Sequence, residues 1–147
     1  MAVKNGVSLN WGGFDKALSK AGHKLGDTQA LMESVGEALV SDTKKRFDAK
    51  KDPEGTPWKP SRRALEKGDK TLTNSGRLRR SIDYAATSDK VMVGSNLAYA
   101  RIHQLGGKTG KGHKVDMPAR PYLGVSKEDM EEVRETMADF LAGAFKA

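Results

Sequence analysis

The chain is predicted to be α+β, with a long N-terminal helix and a C-terminal helix packed on a small antiparallel sheet, plus a short central helix and a long basic loop. Three patterns carry this expectation. Leu31, Val35, Leu39, Thr43 and Phe47 recur at four-residue steps, the spacing of one helical face. Ser81-Ile82-Asp83-Tyr84-Ala85-Ala86 and Val91-Met92-Val93 bracket the turn-forming Thr87-Ser88-Asp89-Lys90, which reads as a β-hairpin. Met130, Val133, Met137, Leu141 and Ala144 or Phe145 mark a second helical stripe close to the C-terminus.

A length of 147 residues suits a single core. Residues 27–147 are expected to form it. Residues 1–26 are rich in Gly, Ser, Asn and Lys and are expected to be a flexible arm, with Trp11, Phe14 and Leu18 spaced for a short amphipathic turn.

The long helix is expected to start at Asp27 or Thr28, either of which can cap it. Met32, Ala38 and Val40 broaden its stripe. Glu33 and Glu37 lie toward its N-terminal half and Lys44, Lys45 and Arg46 toward its C-terminal end, the order that complements the helix dipole. Pro53, Pro57 and Pro60 then forbid helix and predict an ordered or semi-ordered loop. Within it Trp58 is expected to plug the core rather than to stack on a ligand. Residues 61–69 form a short basic helix.

Beyond the hairpin, Ser95 or Asn96 is expected to cap a helix of two to three turns that Gly106 and Gly107 stop. Ala98, Ile102 and Leu105 would share its inner face, with Tyr99 and His103 as a neighbouring pair. Residues 106–116 hold four glycines, three lysines and His113, and are expected to be a flexible basic excursion that orders on assembly. Pro118-Ala119-Arg120-Pro121 should be stiff and deliver Tyr122 and Leu123 to the core. Ser126 caps the last helix, with Asp129 at the capping-box position.

The net charge of +7 is unevenly distributed. Residues 44–80 carry thirteen Lys or Arg against five acids, whereas residues 121–147 carry six acids against three bases. Such polarity suits a partner with negative charge, or copies of the chain meeting basic face to acidic face. No apolar run approaches the roughly twenty residues that span a bilayer, and no secretory signal pattern opens the chain, so a soluble protein made in the cytoplasm without a membrane partner is expected. Without cysteine, disulfides, thiolate metal sites and cysteine nucleophiles are excluded.

Other chemistry finds little support. His103, His113 and Asp116 lack metal-ligand spacing, so no metal or other cofactor is expected. Gly106-Gly107-Lys108-Thr109-Gly110-Lys111-Gly112 contains Gly-Lys-Thr but lacks the glycine that a phosphate-binding loop needs ahead of it, separated from the Gly-Lys pair by four residues. The acids fall on solvated helix faces or turns, not in a cleft that would raise a catalytic pKa. The arginines between residues 62 and 80 could contact phosphates, but interleaved aromatics for base stacking are missing and no helix-turn-helix is convincing. Sequence-nonspecific DNA binding by residues 44–80 is the alternative function, testable by salt dependence near −0.9 per phosphate in log–log slope.

Five pieces in order resemble the phage virion morphogenesis family, the tail-completion and Mu-type neck proteins. They are Gly55-Thr56-Pro57-Trp58-Lys59-Pro60, then Leu72-Thr73-Asn74-Ser75-Gly76-Arg77-Leu78-Arg79-Arg80-Ser81-Ile82, then Val93-Gly94-Ser95-Asn96-Leu97-Ala98-Tyr99-Ala100, then Ile102-His103-Gln104-Leu105-Gly106-Gly107, and Pro118-Ala119-Arg120-Pro121-Tyr122-Leu123-Gly124. The commonest family form places Phe at the positions of Tyr122 and Leu105, both mild swaps. The resemblance covers residues 47–127 and implies no enzymatic activity. It implies a subunit assembled in the host cytoplasm into a ring, a hexamer, in the tail or neck of the virion. The ring would complete or cap the head-proximal end of the tail, meeting tail tube or tail terminator proteins on one side and head connector proteins on the other, with DNA passing through the lumen. On this resemblance Tyr99 and Trp58 pack, and Arg77, Arg79, Arg80, Arg101, His103, Lys108, Lys111, Lys114 and Arg120 are the candidates for subunit or partner contacts.

Overall fold

In the computed structural model, residues 7–8 and 28–146 are described. The α+β expectation holds. Helix α1 (Gln29–Ala49) runs across the sheet and also packs on the C-terminal helix α5 (Lys127–Lys146). Its predicted stripe is its buried face: Leu31, Met32, Val35, Leu39, Thr43 and Phe47 all point inward. The proposed side-chain cap is not made, because Thr28 Oγ1 donates instead to the Ser88 carbonyl at 2.6 Å and so fastens the helix start to the hairpin turn.

The sheet has the order β1–β3–β2, with β1 (Val7–Ser8), β2 (Asp83–Ala86) and β3 (Val91–Gly94) all antiparallel. The pairs Tyr84 with Val93 and Ala86 with Val91 set the hairpin register. Val91 and Val93 face α1 and Met92 faces outward, the alternation of a half-buried strand. Val7–Ser8 adds an edge to β3 from within the segment expected as an arm. The rest of residues 1–26, including the turn expected at Trp11, Phe14 and Leu18, lies outside the described residues.

Three short helices complete the layer: α2 (Arg62–Lys67), α3 (Arg77–Ser81) and α4 (Ala100–Leu105). Ser61 Oγ caps α2 by accepting from the Ala64 N–H at 3.1 Å. Helix α4 is shorter than expected. Ser95 does not cap it but turns into the core, sharing a hydrogen bond of 2.6 Å with Ser81 Oγ and accepting from the Leu97 N–H. The inner face of α4 also differs, since Ala100 is buried while Leu105 is 61% exposed. The excursion at residues 106–116 is a β-hairpin, with β4 (Gly107–Thr109) paired to β5 (Val115–Met117) across a single turn of 3₁₀-helix at Lys111–His113. Gly110 (φ +80°) and Gly112 (φ +69°) turn the chain there, and backbone pairing supplies the order that the glycine-rich composition concealed.

The aromatic heart joins three distant segments. Phe47 of α1 meets Trp58 edge-on at 5.6 Å and Tyr122 at 5.3 Å. Trp58 plugs the proline loop as expected, and its indole N–H donates to the Pro121 carbonyl at 2.7 Å. Arg46, one residue before Phe47, is buried and donates to the Tyr122 carbonyl at 3.0 Å and to Asp129 Oδ2. Asp129 in turn closes the predicted capping box: its carboxylate accepts from the Ser126 N–H, and Ser126 Oγ accepts from the Asp129 N–H, each at 3.0 Å.

Beside this pair, Asp42 Oδ2 is buried without a hydrogen-bond partner, although Lys45 Nζ lies 3.5 Å from Oδ1. Burial first, then the neighbouring carboxylates of Glu132 and Asp129, push Asp42 from 3.8 up to about 6, against the pull of Lys45. The folded state therefore binds this proton more tightly than the unfolded chain, so its contribution falls as pH rises from about 4 to 6 and stays lost above. Replacing Asp42 by Asn is expected to leave stability unchanged at pH 4 and to raise it by about 1–2 kcal/mol at pH 7, allowing for solvent screening. Urea denaturation of both chains across that pH range measures the difference.

Gly36 is where α1 approaches the sheet most closely. A Cβ at that position would stand 2.4 Å from Tyr84 Cδ2 and 2.6 Å from Cγ. Gly36→Ala should therefore destabilise by about 1–3 kcal/mol through overpacking, despite the better helix propensity of alanine. In a Tyr84→Ala background the same change should become neutral or stabilising by up to about 1 kcal/mol. Thermal unfolding of the four chains of this cycle separates the two effects.

Candidate functional site

A groove of about 560 Å³ opens between α2, residues 72–78, α4 and β5. The loop entering α3 supplies one wall. Gly76 ends it in the left-handed region at φ +76°, which starts α3 at Arg77 and leaves that side chain exposed at the rim. Leu72, also lining the groove, adopts φ +62°, a conformation uncommon outside glycine and Asn.

The opposite wall is built on Tyr122. Its hydroxyl donates to the Ala100 carbonyl at 2.7 Å, at the start of α4, and burial holds its pKa above the ordinary phenol value. Gln104 then serves the extended segment as a strand partner would: its Oε1 accepts from the N–H groups of Tyr122 and Leu123, and its Nε2 donates to the Leu123 carbonyl, all at 3.0 Å. The Arg120 N–H donates to the His103 carbonyl at 2.8 Å. Gly106 (φ +70°) lets α4 leave directly into the hairpin, because a Cβ there would lie 2.7 Å from the Ala119 nitrogen.

The predicted contact residues separate into three groups. Arg77, His103 and Arg120 converge on the groove. Arg79 and Arg80 do not: Arg79 pairs with Asp48 at 3.1 Å, and Arg80 donates to the Ser75 carbonyl at 2.9 Å. Lys108, Lys111 and Lys114 lie exposed on the β4–β5 hairpin, and Arg101 is exposed on α4. Tyr99, which the resemblance assigned to packing, is instead 40% exposed at the groove, with its ring edge-on to His103 at 6.0 Å.

Arg120 is the unusual member. Its side chain is buried, with Nε donating to the Lys59 carbonyl at 2.6 Å and Nη1 directed to Met117 Sδ at 3.6 Å. No carboxylate pairs with it among the described residues, and burial lowers its pKa. Burial and then the Arg120 charge lower the pKa of His103 from its ordinary value, and Nδ1 is buried without a partner. Arg62 and Arg63 also line the groove; the sequence marked them as possible phosphate contacts in the basic segment, not as subunit contacts. Each is balanced locally, Arg62 by Glu66 and Arg63 by Asp69, both at 2.7 Å.

The arrangement offers cations, an aromatic rim and backbone edges. Among the described residues no three His, Asp or Glu side chains come together to hold a metal ion, and no helix is long and apolar enough to cross a membrane. Cations set in such a groove can hold anionic groups.

Comparison with known proteins gives a consistent picture. The sequence profile of the phage virion morphogenesis family matches residues 9–142. The chain is 31% identical over 125 residues to the "Mu-like prophage FluMu G protein 2" of Haemophilus influenzae, covering 84% of this chain and 86% of that protein. It is 28% identical over 156 aligned positions to the "Putative capsid assembly protein G" of Escherichia phage Mu, covering 99% of each. No solved structure gives a significant match.

The groove's far wall depends on Gln104, because three buried or half-buried backbone groups rely on one amide. Gln104→Leu should cost about 2–4 kcal/mol by leaving them unpaired, and Gln104→Glu should also destabilise, since it keeps the acceptor but sets a second carboxylate oxygen against the Leu123 carbonyl. Urea midpoints with an unchanged slope would show the effect to be on the folded state.

Proposed function

The chain belongs to the phage virion morphogenesis family, and from that premise we propose that it is the subunit completing the head-proximal end of the tail. It works through protein interfaces, as a ring, a hexamer, placed at the neck between the tail tube and the head connector. The observation that carries this reading is the family match across residues 9–142.

The surface supports an assembling role. Tyr99, just before α4, and Val115 on β5 are large apolar side chains left exposed at the same groove, and Leu105 at the end of α4 is exposed as well. The adjoining hairpin projects Lys108, Lys111 and Lys114. Apolar side chains ringed by charge are the ordinary composition of a subunit contact. Arg77, His103 and Arg120 line the groove beside it, Arg101 is exposed on α4, and DNA in the lumen would meet the lysines without being read.

A second reading places the protein on the capsid side, and the name of the phage Mu relative favours it. Particles from a phage lacking this protein distinguish the two. Filled heads and separate tails, unjoined or of irregular length, are the expected products. Absent or misshapen heads would overturn the tail reading in favour of the capsid one. Purified protein should also bind DNA weakly, without the steep salt dependence that about six phosphate contacts would impose.

A further inference from the structure

The groove between α2, α3, α4 and β5 is lined by four arginines, Arg62, Arg63, Arg77 and Arg120, and by no acidic residue. Arg62 and Arg63 have partners outside it, in Glu66 and Asp69. Arg77 and Arg120 have no carboxylate partner among the described residues. A buried guanidinium without a counter-ion is costly, and the ordinary remedy is an anion supplied from elsewhere. The buried, unpartnered Nδ1 of His103 lies at the same wall.

The same chain carries the complement. Helix α5 exposes Glu128, Glu131, Glu132, Glu135 and Asp139 at three- and four-residue steps, which places them on one face. From Glu128 to Asp139 that stripe runs about 17 Å along the helix, and Arg134 is the one cation within it. No residue of α5 lines the groove, so the acidic stripe of a copy does not fill the groove of that copy. Asp129, the acid of this helix that does turn inward, is already committed to Arg46.

We propose that the groove is a socket for the acidic face of α5 from a second copy of this chain. The inference rests on the reading of the protein as an assembling subunit and names the contact through which it assembles. Glutamates of the incoming helix reach Arg77 at the rim and the guanidinium of Arg120 within, and Tyr99 and Val115 cover the apolar part of that helix. Socket and helix are different surfaces of one chain, so the contact is head-to-tail. Repeated, such a contact closes into a ring if its rotation closes, and otherwise grows as a filament.

The test is a charge exchange between exposed positions, which leaves the core untouched. One variant is Arg77→Glu; the other combines Glu131→Lys with Glu135→Lys. Mass is measured by light scattering over a concentration series, alone and with tail tubes, and thermal unfolding checks that both variants are folded. The native chain should assemble, less so in high salt, and each variant should associate roughly tenfold more weakly or worse. An equimolar mixture of the two variants should recover assembly, because alternating copies restore opposite charges at every contact. If the native chain and both variants assemble alike, or the mixture fails to recover, the socket is wrong and the assembling reading stands. A native chain that stays monomeric with and without tail tubes overturns both.

Discussion

The contact between Arg46 and Asp129 is the point at which the three main parts of this molecule are tied together. Arg46 belongs to the end of α1, Asp129 to the first turn of α5, and the Tyr122 carbonyl that Arg46 also holds belongs to the extended segment between hairpin and helix. Buried ion pairs earn little net stability against well-packed apolar residues, but they are severe about geometry, because a misplaced partner leaves a desolvated charge. Here one carboxylate serves both the guanidinium and the Ser126 N–H. The angle at which α5 starts is thereby coupled to the end of α1.

From that point the order spreads outward through hydrogen bonds rather than through apolar packing alone. Tyr122, anchored by Arg46 and packed on Phe47, fixes the start of α4 through its hydroxyl, and Gln104 returns from α4 to hold the backbone of residues 122 and 123. The arrangement lets a helix of only six residues stand in a defined place. It also sets His103 and the preceding Tyr99 at the groove and delivers the chain through Gly106 into the basic hairpin. The groove exists because its two walls are fastened to the core by polar groups, leaving apolar and cationic side chains free at the rim.

How much of this could be read beforehand depended on how local each signal was. The stripe of α1, the β2–β3 hairpin, the Ser126 capping box and the burial of Trp58 were legible because each rests on residues a few positions apart. The face of α4 was misread for the opposite reason. Apolar spacing pointed to Ala98, Ile102 and Leu105, yet the inward positions are taken by Ala100 and by Gln104, whose polarity is useful only to a segment nearly twenty residues away. The β4–β5 hairpin was hidden by glycines and lysines that give no alternation, and its three-residue strands are specified by backbone pairing. Of the contact residues, the sequence pointed to Arg77, His103 and Arg120 but could not separate them from Arg79, which an ion pair to Asp48 engages at home.

By itself, the sequence determined the class of fold, its two long helices and its first hairpin, and the opposition of a basic middle to an acidic end, since periodicity, turn chemistry and charge are properties of neighbours along the chain, and five motifs in order carried the family resemblance. Tertiary structure alone decided which charges are neutralised within the molecule and which remain to be met from outside. Arg46 and Arg120 look alike in sequence and are both buried, but folding brings a carboxylate to the first and only a carbonyl and a thioether to the second. A counter-ion is a matter of distance in space, and the chain settles those distances only when it packs.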